Sequence, residues 1–172
     1  MRRISSVLLG AALLLSAAGD PGATELSARL PELTLENLEG GAVDIATLAA
    51  DGPVLLDFWA TWCSPCRRSL PHYQRLAEAY AEAGLRVITV SQDTPRLRRR
   101  IAPTLESIGV SLPVLLDPQE ELGRELGVLS LPTTFLVAKG GEISMGHLGF
   151  VDGDEVELER QIRELLGLDP ED

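Results

Sequence analysis

Of its 172 residues the chain has only two cysteines, two histidines (His72 and His147) and one lysine, Lys139. Exported proteins that rely on disulfides as scaffolding distribute several cysteines so that long loops are closed. Here both cysteines fall in one four-residue motif, Cys63-Ser64-Pro65-Cys66. A ring that small removes little chain entropy, which asks for a chemical rather than a structural explanation. A structural zinc site takes four ligands, and no second ligand pair accompanies the cysteines, so no metal and no cofactor are expected. Covalent haem is excluded because Arg67, not histidine, follows the second cysteine.

Long apolar runs are also missing. The longest lies over residues 7–15, shorter than the ~20 apolar residues of a membrane-spanning helix. Basic residues are few, 15 against 26 acidic, for a net charge of −11. So acidic a surface repels phosphate backbones, and nucleic acid is not an expected partner. The one basic run, Arg98-Arg99-Arg100, reads as a solvated helix face. Neither an internal repeat nor a low-complexity segment is present.

The start of the chain has the layout of a secretory signal over residues 1–19: Arg2 and Arg3, the apolar run, then Ser16-Ala17-Ala18-Gly19 for cleavage. An uncleaved signal is the only membrane contact expected, and with no cysteine after the run there is no site for a lipid. Removal of the signal leaves 13 basic against 26 acidic side chains. Residues 20–31 read as a flexible segment, 32–168 as one folded domain and 169–172 as a tail. The balance of 45% hydrophobic and 24% charged residues suits a soluble domain of this length with its own core. Localisation is expected to be periplasmic or otherwise extracytoplasmic, as a monomer.

Runs at 33–38 and 41–45 flank Glu39-Gly40-Gly41 and predict a β-hairpin. Residues 53–59 are nearly all apolar, as a strand buried on both faces should be, and Asp57 is the exception. A helix is predicted over 64–83, ending at Gly84 and kinked at Pro71. Then follow a strand at 86–91, a helix at 94–108 that Pro103 interrupts or restarts, a strand at 114–116 and a helix at 120–126. Strands at 133–137 and 143–148 flank the turn at 139–142, and a last helix covers 154–166. Strands alternating with helices predict an α/β sheet with covered faces, finished by an antiparallel hairpin.

Trp62-Cys63-Ser64-Pro65-Cys66 follows a buried strand and opens a helix. A cysteine at a helix N-terminus meets unpaired N–H groups and the positive end of the dipole, which favours the nucleophilic thiolate. Two intervening residues bring the second cysteine to the same side of the first turn, from which it can attack a mixed disulfide. Pro65 is tolerated because the first-turn N–H has no helical partner to lose.

Together, LLDFWATWCSPC at 55–66 and LPTTF at 131–135 resemble the thioredoxin superfamily. The upstream hairpin, the inserted helix-strand segment after Asp93 and the signal resemble its exported TlpA/ResA/CcmG-like thiol-disulfide oxidoreductases. The resemblance implies a thioredoxin-like fold with a central mixed β-sheet. It implies Cys63 as attacking thiol, Cys66 as resolving thiol, Asp57 beneath the motif as proton acceptor, and Pro132 as a cis-proline. Trp62, Leu131 and Pro132 would line the substrate, with Gly149 and Trp59 nearby. The implied partners are disulfide-containing exported proteins and a membrane thiol reductase that regenerates the dithiol, in a setting of cytochrome c-type biogenesis. Two positions stand apart from that setting: Ser69, where many exported members carry glutamate, and Asp57, the thioredoxin-like choice, here without a lysine to accompany it. A thiol peroxidase of the same fold and a metallochaperone are the alternatives. Ala60-Thr61-Trp62 does not reproduce the peroxidase pattern.

Overall fold

The computed structural model describes residues 29–169. The expected signal at 1–19 and residues 20–28 lie outside the described residues. Order along the chain is β1 (Thr34–Asn37), β2 (Ala42–Asp44), a 3-10 turn (Ile45–Thr47), β3 (Val54–Trp59), α1 (Ser64–Tyr80), β4 (Arg86–Ser91) and α2 (Arg98–Ser107). It continues with β5 (Val114–Leu116), α3 (Glu121–Glu125), β6 (Thr133–Val137), β7 (Ile143–Leu148) and α4 (Asp154–Leu165).

All seven strands form one mixed sheet in the order β2-β1-β5-β4-β3-β6-β7. β3 sits inside it, parallel to β4 and antiparallel to β6. Because side chains alternate across a strand, β3 serves two cores. Leu55 and Trp59 pack with Leu70 and Tyr73 of α1, Ile101 of α2 and Ile162 of α4. Leu56 and Phe58 pack on the other face with Ile45, Leu48 and Leu122. Both faces are covered, which is why the β3 sequence lacks polar alternation. Asp57, in step with Leu55 and Trp59, belongs to the α1 side.

The predicted elements all form, with three differences. α1 ends at Tyr80, not 83: residues 81–84 make a closing turn in which Leu85 N–H returns to the Tyr80 carbonyl at 3.1 Å and Gly84 takes φ +95°. α2 begins at Arg98, since 94–97 close as a turn through Leu97 N–H on the Thr94 carbonyl at 2.8 Å. Pro103 does not interrupt α2. Its missing N–H removes one helical bond, and the buried Ile101 and Leu105, one turn apart, hold the helix to the core.

The hairpin forms as expected, and β1 also pairs antiparallel with β5, so it is part of the main sheet. The segment expected to be flexible to residue 31 is anchored at its end. Leu30 is buried and donates its N–H to the Gly141 carbonyl at 2.9 Å, and Arg29 bridges to Glu142.

Candidate active site

Three loops meet at one end of the sheet, because Phe58 near the end of β3 lies opposite Thr133 at the start of β6, and Thr133 lies opposite Leu148 at the end of β7. The first loop carries the cysteines. After β3 the chain turns tightly, with Cys63 N–H on the Ala60 carbonyl at 3.0 Å. Cys63 is the N-cap of α1, and its sulfur accepts the Cys66 N–H at 3.2 Å. The sequence dictates this start: a side-chain acceptor at the cap and proline in the first turn spend none of the helical bonds. Cys63 and Cys66 are disulfide-bonded, with Cα atoms 5.3 Å apart. Cys66 is wholly enclosed and Cys63 keeps 4% of its surface, while Trp62 between strand and motif is 63% exposed.

The loop before Cys63 is held at Thr61. Asp93, buried beyond the end of β4, accepts the Thr61 N–H and the Thr61 hydroxyl, each at 2.8 Å, and the Ser91 hydroxyl at 3.0 Å. Arg67 donates to the Thr61 carbonyl at 2.6 Å.

The second loop ends in the cis peptide Leu131-Pro132. Pro132 is buried and Leu131 half-buried. The third loop meets the second directly, since Gly149 donates its N–H to the Pro132 carbonyl at 2.8 Å.

On β3, in step with Leu55 and Trp59, lies Asp57, with no exposure. Its Oδ1 accepts the Thr134 hydroxyl at 3.0 Å, and Thr134 in turn lies 3.1 Å from the Tyr73 hydroxyl. Oδ2 has no hydrogen-bond partner among the described residues. Burial pushes the Asp57 carboxyl up to about 8, and the Thr134 hydrogen bond opposes that rise. Lys139 is in the β6–β7 turn, at the far end of β6 from Thr133. Both histidines meet the start of α4, His147 at 3.1 Å from Asp154 and His72 at 3.6 Å from Glu155.

The structure therefore brings Cys63, Cys66, Trp62, Leu131, Pro132 and Gly149 to one end of the sheet, with Asp57 buried in β3 two residues before its last, Trp59. Asp93, Thr134 and Tyr73 were not singled out for the site by sequence. Asp93 ends an apolar strand run and Thr134 stands inside LPTTF, two weak signals, whereas Tyr73 matches a helix's apolar face and carries none.

A family model described as the AhpC/TSA family matches residues 26–145. The chain belongs to the AhpC/TSA family. It is 31% identical over 154 residues to thiol-disulfide oxidoreductase ResA of Halalkalibacterium halodurans, covering 90% of this chain and 86% of that protein. Among solved structures, it matches a protein named as thiol:disulfide interchange protein DsbE from Chlorobium tepidum. That match has a TM-score of 0.74 and 31% identity, over 82% of this chain and 97% of the other. StoA from Bacillus subtilis, at 23% identity over 80% of this chain and 98% of its own, shares the fold with a TM-score of 0.61. The fold of this AhpC/TSA member is thioredoxin-like. With these relatives matched along most of their length and a Cys-x-x-Cys pair in place, the chain is a thiol-disulfide oxidoreductase.

Proposed function

We propose that this oxidoreductase reduces disulfides of exported proteins outside the cytoplasm, with Cys63 as nucleophile, Cys66 as resolving thiol and Asp57 as the group that moves the Cys66 proton. The observation that carries it is the cap geometry: Cys63 sulfur receives the Cys66 N–H at the positive end of α1, which stabilises a thiolate there.

In the dithiol form, Cys63 thiolate attacks one sulfur of the partner's disulfide. A Cys63–partner bond forms, the partner's S–S bond breaks, and its first thiolate departs. Cys66 then loses its proton to the Asp57 carboxylate and attacks the Cys63 sulfur, closing the Cys63–Cys66 disulfide and releasing the second partner thiol. The partner gains two electrons and the enzyme loses them. An external dithiol, supplied by a membrane thiol reductase, attacks Cys63 with one sulfur and displaces Cys66, and its second sulfur then displaces Cys63, so that the reductase leaves as a disulfide and the enzyme as a dithiol. As Cys66 leaves, protonated Asp57 returns the proton. Trp62, Leu131 and Pro132 flank the approach to Cys63, with the Leu131 backbone available to a substrate strand. The basic, apolar and small-residue order of residues 1–19 supports export.

Cys66→Ala, produced in the native host, is expected to hold partners as mixed disulfides on Cys63, whereas Cys63→Ala holds none. The equilibrium potential against glutathione decides direction: a value near −270 mV fits a reductant, and one near −120 mV would make the protein an oxidant.

A further inference from the structure

Asp57, Thr134 and Tyr73 form a buried series in which two hydroxyls lead to a carboxylate. Asp57 and Thr134 have no exposure and Tyr73 has 1%. Thr134 owns a single hydroxyl proton, which it gives to Asp57 Oδ1 at 3.0 Å. The 3.1 Å contact between Thr134 and Tyr73 must then run from the tyrosine to the threonine. Ser69, beside the Tyr73 hydroxyl, gives its own proton to the Cys66 carbonyl at 3.0 Å, so it does not supply the series.

A proton placed on Oδ1 would face the Thr134 proton across the same 3.0 Å gap. Turning Thr134 away would require Tyr73 to give its proton to Ser69 instead. Oδ2 has no such obstacle, being without a partner among the described residues. Asp57 also shares its face of β3 with Leu55 and Trp59, which pack in the cluster containing Cys63 and Cys66.

We propose that Thr134 and Tyr73 are positioning residues for Asp57: their hydroxyls, donating in sequence, fix Oδ1 as an acceptor and reserve Oδ2 for the proton exchanged with Cys66. The proposal rests on the Asp57 role given above and adds the groups that control it. Loss of the Thr134 donor removes the one hydrogen bond that favours the carboxylate, so the titration of Asp57 should move upward. The other titratable groups on this side are few. Tyr73 comes from α1, the two cysteines being joined in the disulfide, His147 stands opposite Thr134 on β7, and Asp154 of α4 acts on Tyr73. β4 presents only Thr89 opposite Asp57. None of these donates to Oδ1, so the effect of Thr134 is separable from theirs.

The test follows the Asp57 carboxyl carbon by NMR in the oxidised full chain, together with the pH dependence of mixed-disulfide resolution. Thr134→Val, equal in shape, is expected to raise the midpoint by about one pH unit. Thr134→Ser restores it, and Tyr73→Phe gives a smaller rise because it removes only the donor behind Thr134. Both rises should reappear in the kinetic profile. If Thr134→Val does not fold, Tyr73→Phe against wild type carries the same comparison. A midpoint unmoved or lowered in both variants overturns the positioning role and leaves the Asp57 role standing. A resolution profile unchanged in Asp57→Asn overturns the Asp57 role, and the proposal with it.

Discussion

The Asp93 carboxylate grips Thr61 twice, taking its backbone N–H on one oxygen and its side-chain hydroxyl on the other, both at 2.8 Å. Thr61 precedes Trp62 and Cys63, so a residue just beyond β4 sets the backbone that leads into the cysteine motif. Asp93→Ala leaves the Thr61 N–H and two hydroxyls without their acceptor and is expected to cost roughly 2–4 kcal/mol. Thr61→Val removes one of the three bonds and costs less. Urea midpoints for the two variants and their combination measure the coupling. Strictly additive losses would show that the contact carries no energy.

Asp57 gives the protein a pH dependence of definite sign. Its folded value, about 8, exceeds the ordinary carboxylate value of 3.8, so between those values the native state binds a proton that the unfolded chain releases. The contribution to stability is therefore greatest below about pH 4, declines as pH rises toward 8, and is level above. Asp57→Asn removes the decline and is expected to be more stable than wild type at pH 8 by a few kcal/mol, with little difference at pH 4. The same variant should resolve mixed disulfides slowly near neutrality. Parallel stability curves for the two proteins across this window would contradict the burial cost.

Gly149 has φ +84°, and a Cβ there would meet nothing within 4 Å. With no clash to relieve, Gly149→Ala carries only the left-handed backbone strain, about 1–2 kcal/mol. A thermal midpoint lowered by several degrees is expected, with the Gly149–Pro132 contact retained in a crystal structure of the variant. A loss above about 4 kcal/mol would mean that the loop depends on more than backbone conformation.

Leu55 lies wholly inside the cluster that supports α1 and both cysteines. Leu55→Ala is expected to cost about 2–5 kcal/mol through lost burial and a residual cavity. A guanidinium titration checks it, and a cost below about 1 kcal/mol would show that the cluster collapses around the gap.

The two cysteines were legible from sequence through their spacing at a helix start, and the cis-proline through the resemblance that LPTTF carries. Asp57 was legible as a charge in an apolar run. Thr134 and Tyr73 were not, since their contacts exist only once β6 lies beside β3 and α1 crosses that face. Asp93 was hidden for a similar reason, its target Thr61 being 32 positions away. Element order was readable throughout because hydrophobic periodicity is local. The pairing of β1 with β5 was not, as register between distant strands is settled by the assembled core. Helix ends were misjudged where turns continue the helical pattern without its hydrogen bonds, at 81–84 and 94–97.

The β1–β2 hairpin also determines what the sheet offers to other chains. Without β1, the interior strand β5 would end the sheet, presenting Val114, Leu115 and Leu116, all buried, along an open ladder. Such an apolar border invites pairing between molecules. β1 occupies that ladder and passes the border to β2, three residues long and alternating exposed and half-buried. Asp44 at its end turns its carboxylate back to accept the Ala46 N–H at 3.0 Å. The hairpin thus acts as a gatekeeper against intermolecular strand addition, lowering the aggregation hazard of the folded chain.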